Sequence, residues 1–204
     1  MYRGTMLLMS FLLLATVNLS CKEPEITGPP SPDEGDFSYP QLSFDLPTIT
    51  FTTNRSHNVV YVGETFEIKV ILYSMPDSLF AAGGDFIIPE GVEIMKIVPN
   101  PDYISSGLAT VNLAILVDNT ASFVVTYKAG HSPSTSASGV LLKLICKAIS
   151  PSEITLGTSN IANPLFRVTD SGTPIGSESN NEELSPTPVV LPLIINVSDE
   201  FVGG

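Results

Sequence analysis

The sequence has no tryptophan, two histidines, two cysteines and nine basic residues, and each shortage argues against a class of function. Four scattered Cys and His residues argue against a Cys/His zinc cluster. Without tryptophan, the chain lacks the best stacking side chain for a sugar platform. Nine Lys and Arg against 21 Asp and Glu give a formal charge of −12, which repels phosphate backbones and excludes nucleic-acid binding.

Catalytic motifs are also missing. The chain contains no GxSxG, HExxH, P-loop or GxGxxG motif, and no EF-hand calcium loop, so it is not itself a dockerin. His131 lies close to Ser132 and Ser134, but neighbouring loop residues seldom reach in-line geometry, and no carboxylate nearby in sequence orients the imidazole. We therefore expect a binding or scaffold module with no catalytic residue, no cofactor and no metal, rather than an enzyme.

What remains is the composition of one folded domain. The 204 residues are 43% hydrophobic and 15% charged, which supplies a core and too few charges for a disordered polyelectrolyte. A single core commonly reaches about 150 to 170 residues. The length therefore predicts one domain with an N-terminal extension.

The start of the chain has the profile of a signal peptide. Arg3 is the only charge in the first 21 residues, and an apolar run occupies 6–17. A membrane-spanning helix needs about 20 apolar residues, and this run is shorter. We interpret residues 1–20 as a signal peptide.

Cys21 is the predicted lipidation site. Ser20 before Cys21 resembles a bacterial lipobox, although Asn18 replaces the usual aliphatic residue. The alternative is a disulfide with Cys146, which an exported protein could form. Cys146 shares the parity of two leucines in a strand-like run, which favours a buried free cysteine. We expect a protein that is lipid-anchored to the outer membrane, at the cell surface.

Residues 21–40 read as a tether. They are rich in Pro, Gly and acidic residues, cannot bury a core, and are expected to be extended. The acidic residues after the cysteine resemble the surface-export signals of some outer-membrane lipoproteins, or are solvated linker charges; both interpretations stay open.

Residues 41–200 are predicted to form an all-β domain. Apolar or alternating runs are separated by turn formers, and no helix is indicated. In the clearest strand, 65–73, even-numbered apolar positions alternate with Thr65, Glu67 and Lys69, which predicts one core face and one solvent face. The candidate strands are 47–53, 58–62, 65–73, 79–88, 92–98, 110–117, 122–128, 140–148, 154–159, 165–169 and 189–197.

Two binding sites are conceivable from side-chain chemistry alone. Tyrosines could form a sugar platform if several projected from one face; the candidates are Tyr61, Tyr73, Tyr103 and Tyr127. Acidic and amide side chains near residue 180 could hold Ca²⁺, although a solvated loop is the favoured interpretation; they are Glu178, Asn180, Asn181, Glu182 and Glu183.

Four phrases in order resemble the cohesin domain, the module that binds dockerins in cellulosome-type assemblies. They are Val-Gly-Glu-Thr-Phe-Glu-Ile-Lys-Val at 62–70, the strand pair within 79–98, Ser-Gly-Val-Leu-Leu-Lys-Leu at 138–144, and the segment 154–172. The resemblance covers about residues 45 to 197 and implies a nine-stranded, jelly-roll-like β-sandwich. The segment 101–110 does not fit the family pattern.

The resemblance also implies a recognition surface on one sheet face, built by the strands near 64–73, 92–98, 122–128 and 154–160. Parity then predicts the outward, partner-binding side chains Glu67, Lys69, Ile71, Tyr73, Val124, Thr126 and Lys128. The implied function is a surface-anchored scaffold lipoprotein that recruits a dockerin-bearing or other extracellular protein, in the setting of polysaccharide breakdown. The alternative is a carbohydrate-binding module that holds polysaccharide at the cell surface.

Overall fold

The computed structural model describes residues 36–76, 78–100, 103, 110–127, 138–168 and 182–199, which fall within one compact unit spanning 32–204. Among them, no helical segment reaches the length and apolar character that crossing a membrane requires. The strands in chain order are β1 (Thr48–Thr53), β2 (Val59–Tyr61), β3 (Thr65–Tyr73), β4 (Leu79–Ile87), β5 (Val92–Pro99), β6 (Thr110–Val117), β7 (Thr120–Tyr127), β8 (Gly139–Ala148), β9 (Ser152–Leu156), β10 (Ile161–Val168), β11 (Glu182–Glu183), β12 (Val189–Val190) and β13 (Leu193–Ser198).

These strands form a sandwich of two five-stranded sheets and one smaller sheet. The first sheet has the order β12-β1-β3-β8-β5, and the second has the order β11-β10-β4-β7-β6. Except for the parallel pair β1–β12, the pairs in both sheets are antiparallel. The third sheet, β2-β13-β9, has three strands.

The core lies between the inner faces of the two large sheets. Phe51 of the first sheet meets Phe86 of the second edge-on, with ring centroids 5.9 Å apart, and Phe86 stacks on Phe123 at 5.5 Å. Cys146 also belongs to this core and is a free cysteine. Burial raises the pKa of its thiol to about 12, so it packs as a small apolar side chain. The expected parity of Cys146 is confirmed, whereas Cys21 lies outside the described residues.

Apolar or alternating runs and the turn formers between them predicted most strand bounds. Strands β3 and β6 have the predicted limits, and β1, β2, β4, β5 and β8 differ by one residue at one or both ends. The predicted strand 189–197 is divided into β12 and β13 by Leu191 and Pro192. Proline has no N–H to donate to a sheet, which explains the break.

The expectation of a solvent-exposed face on β3 is wrong. Eight of its nine residues are buried, including Glu67 and Lys69. The cause is a segment that we call the strap, residues 36–46, which packs on the outer face of β3 and β8. Residues 36–40, predicted as the end of the tether, therefore belong to the folded unit.

Candidate functional site

The two large sheets have outer faces of opposite character, and the strap closes one of them. Beneath the strap, the amine of Lys143 on β8 is fully buried and lies 3.7 Å from Oε2 of Glu67. It donates a hydrogen bond of 2.9 Å to the backbone carbonyl of Asp36 and sits 4.7 Å above the centroid of the Phe37 ring. The strap thus provides the oxygen and the aromatic face that replace water around a buried cation.

Lys69 completes this charge cluster. Its amine donates to the carbonyl of Ser38 at 2.8 Å and to Oδ2 of Asp36 at 3.3 Å, and it lies 3.5 Å from Oε1 of Glu67. Hydrogen bonds from the Ser38 backbone and side chain, with a further one from Lys69, lower the pKa of Asp36 to about 2. One glutamate therefore lies between two lysines, and the strap supplies further acceptors to both of them.

The other end of the strap is aromatic. The Tyr73 hydroxyl donates a hydrogen bond of 2.6 Å to the carbonyl of Pro40. The rings of Tyr39 and Phe44 flank the Tyr73 ring, with centroids 5.9 and 5.1 Å away. Burial of the hydroxyl raises the pKa of Tyr73. Polar and apolar contacts together make the strap an integral layer of the domain.

The predicted partner-binding residues do not share one exposed face. Four of them, Glu67, Lys69, Ile71 and Tyr73, lie beneath the strap and are at most 8% exposed. Val124 and Thr126 lie on β7 in the other sheet, and Lys128 is outside the described residues. The grouping was wrong because parity shows which side chains share a face of one strand, but not which sheet that strand joins or what covers it.

The outer face of the second sheet is the one that no described segment covers. We call it the open face and define it by Asp85, Leu113, Ile115, Ser122, Val124 and Leu165. Leu113 pairs with Val124, and Ile115 and Asp85 both pair with Ser122. Leu113 is 57% exposed and Ile115 is 62% exposed. The open face therefore presents aliphatic side chains around one carboxylate.

That carboxylate is held in place by its neighbours. The Asn163 side-chain amide donates a hydrogen bond of 2.7 Å to Oδ2 of Asp85. Hydrogen bonds from Ser122 and from Asn163 lower the pKa of Asp85, so it carries a negative charge at neutral pH. The surrounding residues form a depression of about 310 Å³. Contiguous exposed apolar surface bordered by polar groups is typical of sites that bind a protein, a ligand or a membrane.

Two glycines shape the floor of this depression. A Cβ at Gly83 would lie 2.7 Å from the carbonyl oxygen of Phe123, so only glycine allows β4 and β7 to approach this closely. Gly84 has φ of +152°, and the pairing with β10 shifts register between Ala162 and Leu165. The resulting bulge brings Asn163 to Asp85.

The remaining predicted sites are placed as follows. Tyr73 and Tyr103 are buried, and Tyr61 is half-buried, so these three do not form the exposed sugar platform. The side chain of Tyr127, like His131 and its neighbouring serines, lies outside the described residues, and so do Glu178, Asn180 and Asn181. Glu183 on β11 forms an ion pair with Arg167, at 3.3 Å between Nη2 and Oε1.

Sequence reasoning missed Asp85, Leu113, Ile115 and Leu165 as candidates. One signal was available in the sequence. The strand 110–117 has no charged residue and carries aliphatic side chains at 113, 115 and 117, which favours a strand face covered by another part of the chain or by a partner. Recognising that the face is exposed required the sheet order.

Solved cohesin domains share this fold. The seventh ScaB type I cohesin from Pseudobacteroides cellulosolvens superposes with a TM-score of 0.57 and 12% sequence identity, over 76% of this chain and 94% of that one. A chain of the Coh-OlpC–Doc435 type I cohesin–dockerin complex from Clostridium thermocellum gives 0.53 and 11%, over 80% and 100%. A chain of the Coh-OlpA–Doc918 complex from the same organism gives 0.50 and 11%, over 74% and 99%.

The domain is a cohesin-like β-sandwich, as the sequence predicted. At identities this low, the likeness establishes the fold alone. No protein-family model matches the sequence, and no curated protein is significantly similar to it.

Proposed function

We propose that this domain is a non-catalytic docking module that binds a protein of the dockerin type on its open face. The observation that carries the proposal is the exposure of Leu113 and Ile115 around the ionised Asp85 on a sheet that no described segment covers. Two of the solved structures with this fold are cohesins in complex with dockerins. Val124 and Thr126, predicted from the sequence as contacts, stay part of this proposal.

The N-terminal segment and the folded domain together support a role in recruiting a partner protein to the cell surface. The signal-peptide profile of residues 1–20, Cys21 and the acidic tether favour a lipid-anchored protein at the outer membrane, with the folded module displayed by its N-terminal segment. The open face and the strap lie on opposite sheets. A partner on the open face would therefore dock away from the side on which the N-terminal segment packs.

A binding assay with matched variants tests the docking site. The immobilised chain is exposed to dockerin-bearing proteins of the same organism, with Ca²⁺ or with a chelator, and affinities are measured for wild type and Ile115→Asp. We expect Ile115→Asp to weaken binding at least about tenfold, because it places a charge among apolar contacts that must lose water on docking. The control is Ile194→Asp, at an aliphatic side chain on β13 that is 48% exposed and outside the open face; it should change affinity less than about twofold.

Three outcomes would contradict the proposal: absence of any Ca²⁺-dependent protein partner, equal loss in both variants, or loss in the Ile194 variant alone. Affinity electrophoresis on soluble polysaccharides belongs to the same experiment. Retardation that depends on Ile115, without a protein partner, would replace protein docking with carbohydrate binding.

A further inference from the structure

Strand β6 forms one edge of the second sheet and is eight residues long. Its only strand partner in the described part of the chain is β7, so one row of its backbone N–H and C=O groups faces away from the sheet. An edge of this kind is a template for another strand.

The other edges of the two large sheets carry features that discourage such pairing. Strand β5 has exposed charges at Glu93 and Lys96 and a register irregularity between Ile94 and Lys96. Strands β11 and β12 contain two residues each, and both residues of β11 are glutamates. Short length, charge and bulges are the usual protections of a sheet edge.

Strand β6 has none of these protections. Thr110–Val117 contains no charge and no proline, and its pairing with β7 runs without a register shift. Aliphatic side chains are exposed on both parities: Leu113, Ile115 and Val117 on one, Ala114 and Leu116 on the other. Ala114 and Leu116 point toward the opposite sheet, where β5 is the neighbouring strand, and both are still exposed, so β6 carries accessible aliphatic side chains on both of its faces.

We propose that β6 pairs with β6 of a second copy of this chain, antiparallel about a two-fold axis near Ala114. In that register, Leu113 lies opposite Ile115 of the second copy, and Ile115 lies opposite its Leu113. Both contacts are aliphatic, as cross-strand pairs favour. When both copies use the same surface about a two-fold axis, the assembly closes as a dimer, and no β6 edge is left free.

Charge is compatible with this register. The chain carries a formal charge of −12, so copies repel one another wherever acidic residues face each other. Pairing about Ala114 puts Asp118 opposite residue 110 of the second copy. The two Asp118 residues then lie about 27 Å apart along the sheet, beyond the Debye length of about 8 Å at physiological salt.

The dimer joins two five-stranded sheets into one continuous sheet, with two open faces side by side. If the proposed docking function holds, each dimer captures two partner modules or one bivalent partner with increased avidity. Dimerisation itself does not depend on docking, because its hydrogen bonds come from the backbone edge of β6, and only Leu113 and Ile115 at the rim of the open face contribute side-chain contacts to it.

Charge complementation at Ala114 tests the pairing. The purified full-length chain is studied by sedimentation over about two decades of concentration, together with Ala114→Lys, Ala114→Asp and an equimolar mixture of the two. We expect the wild type to pass from one copy to two, each variant alone to remain a single copy, and the mixture to recover the dimer. Thermal unfolding of each variant confirms that it is folded, and partner capture should be retained because Ala114 lies on the opposite parity from Ile115.

A wild type that stays a single copy at every concentration would overturn the proposal. A dimer that persists in Ala114→Lys would also overturn it, because the interface would then lie elsewhere. A mixture of the two variants that stays monomeric would exclude this register. Loss of partner binding with an intact dimer would contradict only the docking function.

Discussion

Asp36 shows how a single residue ties the strap to the sheet. Its carboxylate accepts a hydrogen bond of 2.9 Å from the Ser38 N–H and meets Lys69, while its carbonyl accepts from the buried Lys143. A lysine removed from water is costly unless its charge is paired and its N–H groups are bonded. Together with Glu67, the strap satisfies that requirement for both lysines, so it contributes to stability and is more than a connector.

The pH dependence of stability should therefore change in Asp36→Asn. The folded-state pKa of Asp36, about 2, is below its usual 3.8, so its ionised form stabilises the folded state above that usual value. This contribution is lost as the pH falls through the folded-state pKa. Urea unfolding of wild type and variant between about pH 2 and 7 should show a difference in unfolding free energy that is fully present above about pH 4 and shrinks on acidification.

Asp45→Asn is the matched control, since it removes an exposed carboxylate near the opposite end of the strap. A difference between wild type and Asp36→Asn that grows toward low pH would show that Asp36 does not stabilise the fold in this way.

At the scale of elements, the glycine pair in β4 determines the shape of the open face. Gly83 allows β7 to approach, and Gly84 takes a positive φ where β10 bulges. We expect Gly83→Ala to lower the free energy of unfolding by about 2 kcal/mol, because the new methyl group meets the backbone of β7, which cannot turn aside as a side chain could. Chemical denaturation measures this change.

Gly157→Ala serves as the control for that substitution. Gly157 has extended backbone geometry, with φ of −168°, and a Cβ there would lie 3.8 Å from its nearest neighbour, an ordinary contact. An equal loss of stability in both variants would mean that close strand approach at Gly83 is not the cause.

Local pattern predicted the strands well and their assembly poorly, for a physical reason. Period-two alternation reports the two faces of one strand and indicated β3, whereas β6 was predicted as an apolar run that ends at the turn formers Asp118 and Asn119. Sheet order depends on pairing between strands distant in sequence, which no local pattern contains. Glu67 and Lys69 looked solvent-facing because the strap that covers them forms no strand of its own, and its first residues, 36–40, continue the acidic, Pro-rich segment that was read as a tether.

The candidate site was recoverable only in part, for the same reason. The outward parity of Val124 and Thr126 on β7 could be predicted because that strand alternates regularly; their role in binding stays a prediction. Asp85 was missed because its position at the centre of an exposed face results from the bulge at Gly84 and Asn163, which involves residues about 80 positions apart.

At the scale of the whole molecule, the core separates a face that stabilises from a face that we propose to bind. The charge cluster and the strap lie on the first sheet, and the open face lies on the second. Substitutions more than about 10 Å apart without shared partners usually have independent effects. Stability and docking should therefore respond to different residues.

Lys143→Ala and Ile115→Asp make that separation measurable. Lys143→Ala removes a buried ion-pair partner of Glu67 and should lower the free energy of unfolding by about 3 kcal/mol, while leaving affinity for the docked partner within about twofold. Lys147→Ala, at an exposed lysine on the same strand, should cost less than about 0.5 kcal/mol. Ile115→Asp should weaken docking and leave the free energy of unfolding almost unchanged.

If Lys143→Ala weakened docking as strongly as Ile115→Asp while still folded, the two faces would be coupled through the core, and the recognition surface would include the strap.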